Sequence, residues 1–356
     1  MPLNRRHLLR RSATVAGLSL AGLGGCAPAS LLQEQNLAAV RASPDRLANI
    51  TVCLRPHRAT GPRLETELVG DTLVVHNYGH GGSGWSLSWG SSTFAVQKAM
   101  AASPRAVAVI GCGVIGLTSA ILAQSAGTQV TIYARELLPA TRSWRATGTW
   151  KAAYSSGASA AAAPMGFAPD WEQMARVSFK MHRHYMDLPG NLVVSRPYFY
   201  LSDFDVRRST SMVFNIADYG HALMKQFLAA GGKIQMMEFH APSDLALLKE
   251  KVVINCPGYG GRALWKDRSI VPVRGQIAWL TPQPEVDYCL AYRDFIMVSR
   301  KDGIALQVFG QSGTTGYGDN NENPDRTEAD YALASVAAFY SRFRRPSGAD
   351  HRATSL

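Results

Sequence analysis

The chain has 356 residues, of which 46% are hydrophobic and 18% are charged. This balance is typical of a globular protein with room for two modest domains and excludes a disordered chain. The formal net charge is +11, but four of the arginines stand within the first 11 residues, and no basic stripe interleaved with aromatic residues follows. The absence of such a stripe argues against nucleic-acid binding. The positive net charge fits a preference for anionic substrates or surfaces as well as it fits nucleic acid.

The first 26 residues have the pattern of an export signal. Residues 4–10 resemble a twin-arginine signal, and residues 23–26, which end at Cys26, resemble a lipoprotein cleavage box. The apolar run between them is too short to span a bilayer. We therefore expect twin-arginine export to the periplasm or cell envelope, with a membrane anchor through lipid on Cys26. The alternative is an ordinary basic start with an accidental cysteine.

The other four cysteines indicate no metal centre. They are Cys53, Cys112, Cys256 and Cys289, and they form neither a CxxC pair nor a cluster with histidines. Because structural zinc and iron–sulfur sites need such clusters, the sequence predicts no metal site.

The segment from residue 27 to residue 133 indicates an α/β fold. Residues 27–48 have the composition of a tether, and strands are predicted at 50–54 and 72–76. A glycine-rich loop at 77–84 precedes a helix that ends near residue 102. A strand at 106–110, a second glycine loop, a helix at 115–126 and a strand at 129–133 follow. This alternation predicts a parallel sheet.

The later segments predict a second, smaller domain. Helices are expected at 170–186 and 218–230, and strands of the first sheet at 233–239 and 251–255. From residue 271 onward the strands alternate and carry aromatic residues, as in an antiparallel sheet. We therefore predict a Rossmann-like nucleotide-binding domain and an α+β substrate domain with an antiparallel sheet. The first contains residues 49–165 and 211–270, the second contains residues 166–210 and 271–340, and residues 341–356 form a disordered tail.

The second glycine loop has the GxGxxG spacing of a dinucleotide site. Gly111 allows the tight turn, Gly113 lets a pyrophosphate approach the backbone, and Gly116 lets the helix pack on the strand. The N–H groups of the helix start, at Val114 and Ile115, face the phosphates. Glu136 lies 20 residues after Gly116, where an acidic residue can hold ribose hydroxyls. This loop alone does not separate FAD from NAD.

The first glycine loop favours a flavin. Four glycines surround His80 between a strand and a helix, so the loop directs a set of backbone N–H groups away from the helix start. Such a terminus stabilises the negative charge of a reduced flavin. The glycines are Gly79, Gly81, Gly82 and Gly84.

This loop resembles the carboxy-terminal signature of the D-amino-acid oxidases. The likeness rests on residues 76–84 (HNYGHGGSG) and on Ser88-Trp89-Gly90. Upstream, residues 54–58 (LRPHR) are similar to the family's Arg-Pro segment. Shorter matches include Gly148-Thr149-Trp150, and together the matches span most of residues 50–310.

The order of the motifs is reversed relative to that family. The family's GxGxxG motif stands at the amino terminus, whereas here the carboxy-terminal segment comes first and runs into the strand before GxGxxG. Circular permutation explains this order, because domain termini usually lie close together at the surface. The displaced ends then fall near residues 49 and 340 and should meet in space. A fragmented or chimeric gene is the alternative.

The resemblance implies FAD as cofactor and an amine as substrate. The expected reaction oxidises the CH–NH2 group of D-amino acids or a related amine to the imine and keto acid. Reoxidation by O2 with formation of H2O2, or by another acceptor, would follow. The resemblance assigns substrate-carboxylate binding to Arg55 and acceptance of the substrate amine to the Gly82 carbonyl. It also assigns flavin contacts to Ser83 and Gly148 and a structural role to His80.

Two departures concern the substrate and ribose sites. Arg207-Arg208-Ser209 stands where the family places substrate tyrosines, which leaves Tyr198 and Tyr200 as candidate substitutes. The stretch 187–210 is also short for a substrate lid. Arg135 stands where the family has an acidic residue, so the ribose contact passes to Glu136. A nicotinamide-dependent reductase and a non-catalytic membrane-tethered flavoprotein are the competing hypotheses.

Overall fold

Two β-sheets organise the chain, with helices on their outer faces. The computed structural model describes residues 37–150, 168–203, 205–309 and 316–342. The strands of these residues, in chain order, are β1 (Leu47–Arg58), β2 (Thr66–Val69), β3 (Thr72–His76), β4 (Ala106–Ile110), β5 (Gln129–Ala134), β6 (Val193–Leu201), β7 (Val206–Phe214), β8 (Lys233–Met236), β9 (Val252–Asn255), β10 (Ile270–Leu280), β11 (Cys289–Tyr292), β12 (Phe295–Arg300) and β13 (Gly303–Val308). The helices are α1 (Gly84–Met100), α2 (Val114–Ser125), α3 (Ala168–Met186), α4 (Ile216–Ala229), α5 (Gly261–Leu264) and α6 (Arg326–Ser341).

The first sheet is the predicted parallel sheet. Its strand order is β2-β3-β9-β4-β5-β8, and every pair is parallel except the β2–β3 hairpin. The central strands β4 and β9 are almost entirely buried, which explains their unbroken runs of Val, Ile and Ala. Residues of α1, α2 and α4 join these strands in one hydrophobic cluster. The α/β fold class is confirmed.

The second sheet has seven strands in the order β1-β10-β13-β12-β11-β6-β7. The pairs among β10, β13, β12 and β11 are antiparallel, as predicted, whereas β11 pairs with β6 in parallel. Helix α6 covers one face, where Val336 and Phe339 pack with Met297 and Leu306. The opposite face turns toward the first sheet.

Several elements differ from the sequence prediction. Strand β1, assigned to the nucleotide-binding domain, pairs along its length with β10 in the second sheet. Helix α3, assigned to the substrate domain, packs on α1 so closely that a Cβ at Gly90 would collide with the Met174 backbone. Residues 187–210, predicted as a lid, mostly form β6 and the first part of β7. Helix α6 had no prediction, because its hydrophobic face depends on the sheet it covers.

The segments near the displaced ends meet in space. Ile50 packs against the same hydrophobic cluster that contains Tyr340. The Tyr288 hydroxyl donates to the Ala38 carbonyl at 2.7 Å and also contacts the Tyr340 hydroxyl. Tyr288 thus brings Ala38 and Tyr340 close together, as the predicted permutation requires of the two ends, and the permutation itself stays a prediction.

Several terminal predictions lie outside the described residues. These are the export signal and lipid-anchor motif at 1–26, residues 27–36 of the tether and most of the tail at 341–356. Within the part of the chain that the structure describes, no helix is long and apolar enough to cross a membrane.

Candidate active site

The GxGxxG loop connects β4 to α2 with no spare room at its three glycines. Gly111 has φ = 97°, and a Cβ there would collide with the Cys256 carbonyl. A Cβ at Gly113 would lie 2.8 Å from Ser143 Oγ, and one at Gly116 would collide with the Gly111 carbonyl. The turn, the open backbone and the close helix packing predicted for these glycines are therefore all present.

The His80 loop connects β3 to α1 at the same edge of the sheet. Gly79 and Gly81 have φ values of 88° and 57°, which favour glycine. Asn77 anchors the loop by donating to Ser119 Oγ at 3.2 Å. Gly82 is exposed, while Gly81 and Ser83 on either side of it are buried. The loop therefore presents the Gly82 backbone to its surroundings.

A cavity of about 410 Å³ runs along this edge of the first sheet. The carboxyl ends of five neighbouring parallel strands line it, in the spatial order β8, β5, β4, β9 and β3. The second sheet contributes Gly275, Ile277 and Gln307 to the facing wall. A crevice outside the carboxyl ends of parallel strands is where open α/β sheets bind their ligands.

Most of the predicted site residues line this cavity. Those that line it are Arg55, Gly79, His80, Gly81, Gly82, Gly84, Gly111, Gly113, Val114, Ile115, Glu136 and Gly148. Ser83 and Gly116 lie in the same loops but are not among the lining residues. Residues separated by about 90 positions in the chain are thus brought to one cleft.

Arg55 lies on the second-sheet wall of the cavity. Its guanidinium lies against Gly275, where an added Cβ would overlap it. Burial lowers the pKa of Arg55, and no carboxylate among the described residues counters that effect. A half-buried guanidinium without a carboxylate partner among the described residues is suited to an anionic ligand group.

Comparison with known proteins supports the resemblance to the D-amino-acid oxidases. Residues 106–201 match the family described as DAO, FAD dependent oxidoreductase. The chain is 26% identical over 271 residues to a D-amino-acid oxidase of Dictyostelium discoideum. The aligned stretch covers 67% of this chain and 73% of that protein. Residues 106–201, and the longer stretch shared with this oxidase, thus resemble the DAO family of FAD-dependent oxidoreductases.

Two further comparisons give the extent of the likeness. A D-amino-acid oxidase of Streptomyces coelicolor is 29% identical over 197 residues, or 48% of this chain and 58% of that protein. Among solved structures, L-proline dehydrogenase from P. horikoshii has a TM-score of 0.47 at 11% identity, covering 67% of this chain and 78% of that one. The matched stretch is thus a little over half the length of the Streptomyces relative.

The cleft fits FAD. Glu136 and Glu238 lie at its β5–β8 end, where carboxylates can accept hydrogen bonds from ribose hydroxyls. The start of α2 lies in the middle, suited to the pyrophosphate, and the His80 loop lies at the β3 end, suited to the flavin. Thr141 Oγ1 beside α2 is buried without a hydrogen-bond partner among the described residues. Because buried polar atoms normally have such a partner, a bound cofactor would complete its hydrogen bonding.

Glu136 lines the cavity but is already paired. Its carboxylate accepts from Arg135 at 2.9 Å, and Arg135 also donates to Glu238 at 3.1 Å. Arg135 therefore holds both carboxylates at the predicted ribose end. The ribose contact of Glu136 stays a prediction.

Tyr198 and Tyr200 lie away from the cavity. Both are on β6, five strands from β1 in the second sheet, and their rings stack at 4.5 Å. Tyr198 is buried in a cluster with Val213 and Ile277, and the exposed Tyr200 ring lies under the Arg207 guanidinium. Neither tyrosine lines the cleft, so their role as substrate tyrosines stays a prediction without structural support.

Burial keeps His80 neutral. Its side chain is 3% exposed, and desolvation lowers its pKa to about 3. Its Nε2 has no hydrogen-bond partner in the described part of the chain. An imidazole with so low a pKa is a poor general base near neutral pH.

Sequence reasoning missed the turn that follows β5. Residues 141–145 form a wall of the cleft and include Arg142, Ser143 and Arg145. Ser143 Oγ accepts from the Val114 N–H at 3.0 Å, and its carbonyl accepts from the Trp85 indole at 2.8 Å. In the sequence, the available signal was two arginines close to Ser143, a few residues after Glu136. This pattern is too common to be interpreted alone.

No metal centre is visible in the described ranges. There, no group of three or more His, Cys, Asp or Glu side chains is placed to hold an ion. Cys53, Cys112, Cys256 and Cys289 are free thiols.

Proposed function

We propose that the protein oxidises the amine-bearing carbon of an amino acid, with D-amino acids or a related amine as substrate. Water would then hydrolyse the imine to a keto acid. FAD held in the cleft would supply the two-electron oxidation of the substrate Cα–N bond, with O2 (giving H2O2) or another acceptor as the final oxidant. The D-amino-acid oxidase relatives support this reaction class.

Arg55 is the observation that carries the proposal. It is the arginine that lines the cleft from the second sheet, and its positive charge has no carboxylate partner in the described chain. A planar guanidinium binds a carboxylate through two parallel hydrogen bonds. A substrate carboxylate held there would lie between the second sheet and the His80 loop.

The remaining groups position the substrate. The exposed Gly82 backbone offers a carbonyl to the substrate amine, and the walls of the cleft orient the substrate. Hydride transfer needs little acid–base assistance when the amine arrives neutral, so orientation supplies most of the catalysis. The low pKa of His80 agrees with a structural rather than a proton-transferring role.

Anaerobic titration with amino acids tests the reaction. The FAD-loaded protein is mixed without oxygen with separate D- and L-amino acids while the visible flavin absorbance is followed. We expect bleaching by at least one D-amino acid. A flavin that none of the tested amines bleaches would favour the non-catalytic flavoprotein.

Substitution of Arg55 tests its role. Because Arg55→Met keeps the length of the side chain and removes its charge, we expect a rise of about 100-fold in KM for carboxylate substrates. FAD affinity should stay unchanged, and Arg58→Met, in the same strand, serves as the control. Loss of FAD binding in Arg55→Met would contradict the assignment of Arg55 to the substrate.

We also propose that the protein is exported and lipid-anchored. The support is the succession of a twin-arginine pattern and a cleavage box ending at Cys26. We expect the full-length chain to sediment with membranes and its Cys26→Ser variant to be soluble after export. Equal sedimentation of the two proteins would contradict the anchor.

A further inference from the structure

The turn Arg142–Arg145 lies directly against the start of α2. Ser143 Oγ accepts from the N–H of Val114, the first residue of that helix. Ser143 Oγ also fills the space that a side chain at Gly113 would need. The turn is thereby held over the N–H groups that face the pyrophosphate position.

The Arg142 side chain crosses from this turn to the opposite flank of the GxGxxG loop. Its guanidinium lies 5.2 Å from the centre of the Tyr259 ring. Tyr259 follows Cys256, whose carbonyl is in contact with Gly111. Ser143 contacts the Val114 end of the loop and Cys256 contacts the Gly111 end, so the Arg142 side chain reaches from one flank of the loop to the other along the cleft.

The hydrogen bonds of Arg142 are incomplete. One terminal nitrogen donates to Glu322, but Nε is buried and has no partner among the described residues. Beside it, Thr141 Oγ1 also lacks a partner, and Thr141 is only 7% exposed. Both residues line the cleft. Buried polar atoms without partners beside a helix start form a site for an anion.

Glu322 has a second cation to pair with. Arg145 donates to Glu322 at 3.4 Å, and its other hydrogen bonds go to the Val52 and Ala140 carbonyls. Glu322 would therefore stay paired with Arg145 if Arg142 turned away from it. This arrangement lets Arg142 change partners without leaving a carboxylate unpaired.

We propose that Arg142 is a diphosphate-binding residue, whose guanidinium exchanges Glu322 for the pyrophosphate of FAD while Arg145 retains Glu322. The inference rests on FAD binding and does not depend on which amine is oxidised. It makes Glu322 a competitor of the cofactor for Arg142. Removing the two partners should therefore change FAD affinity in opposite directions.

The test compares FAD with riboflavin, which lacks phosphates, on the apoprotein. Flavin fluorescence gives the dissociation constants. We expect Arg142→Leu to weaken FAD binding by about 10- to 100-fold, because a charge-assisted hydrogen bond is lost, and to change riboflavin binding by less than about twofold. We expect Glu322→Gln to tighten FAD binding several-fold by releasing Arg142.

Two controls separate this role from a structural one. Arg293→Leu removes an exposed charge that pairs with Asp203 and does not line the cleft, and it should leave FAD affinity within about threefold. Circular dichroism establishes that each variant folds, and if Arg142→Leu does not fold, the sign of the Glu322→Gln effect decides. Equal weakening of FAD and riboflavin by Arg142→Leu, or weaker FAD binding in Glu322→Gln, would overturn the proposal.

Discussion

At the scale of single residues, the contact between Arg55 and Gly275 controls the proposed carboxylate site. Cys53 pairs with Gly275 across the two strands, and the Arg55 side chain lies over the Gly275 backbone. A Cβ at residue 275 would overlap the guanidinium, so the Arg55 side chain would have to shift to accommodate it. The identity of residue 275 thus sets the position of a charge that comes from another strand.

Gly275→Ala should reproduce much of the effect of losing Arg55. The added methyl group overlaps the guanidinium, so we expect KM for a carboxylate substrate to rise about tenfold with little change in FAD affinity. Steady-state kinetics of the single and double variants provide the measurement. In an Arg55→Met background, Gly275→Ala should add almost nothing, and full additivity would refute the coupling.

At the scale of elements, a buried hydrogen-bond chain ties α3 and α4 to α1. The Trp89 indole donates to the Tyr219 hydroxyl at 3.0 Å, and that hydroxyl donates to His182 Nδ1 at 3.0 Å. His182 Nε2 donates to the Trp85 carbonyl at 3.0 Å, which requires the neutral tautomer with its proton on Nε2. Through the Trp85 indole the chain reaches Ser143 at the cleft.

This chain predicts acid sensitivity. Burial lowers the pKa of His182 to about 4, below its ordinary value of 6.5, so the unfolded protein binds more protons than the folded one in that range. The free energy of unfolding should therefore fall as pH drops from 6.5 to about 5, where ordinary carboxyl groups remain largely ionised. Urea denaturation at successive pH values measures this decrease in the free energy of unfolding.

His182→Gln provides the matched variant. We expect its free energy of unfolding to fall less steeply over the same pH range, because one of the protons bound on unfolding is gone. Residual slope is expected from His76 and His80, whose pKa values burial also lowers to about 3. An identical slope in the two proteins would show that His182 is not a source of the acid sensitivity.

At the scale of the whole molecule, we propose that the chain is a circular permutant of the DAO arrangement. The support is the reversed motif order, the family match that begins at Ala106, and the shared cluster of Ile50 and Tyr340. The connection at 101–105, between α1 and β4, is mostly exposed and would be the added junction.

A chain with the order restored should fold. We expect a protein made of residues 106–342, a short glycine–serine linker and residues 37–103 to bind FAD about as tightly as the original order, because the contacts of both sheets are kept. Flavin titration and thermal denaturation of the two chain orders give the comparison. An unfolded product would show that the two ends are not close enough to be joined.

Local sequence patterns were sufficient to predict much of the first sheet and the identity of the cofactor. The apolar run at 106–110 and the GxGxxG spacing determine a strand, a turn and a helix. Each glycine is required because a Cβ at its position would collide with atoms close to the loop. Strand β4 was predicted with its observed bounds, and helix α2 within one residue. The His80 loop likewise indicated a flavin, and the match of residues 106–201 to FAD-dependent oxidoreductases supports this.

Only the tertiary structure decided what faces the cofactor from the second sheet. Strand β1 follows the same polar and apolar pattern in either sheet, so its pairing with β10, and the position of Arg55 on Gly275, depend on contacts more than 200 residues apart. The amphipathic face of α6 and the side of β6 that carries Tyr198 are also defined by packing partners. Sequence determined the cofactor-binding edge because its constraints are local, whereas the substrate wall depends on long-range pairing that no local pattern encodes.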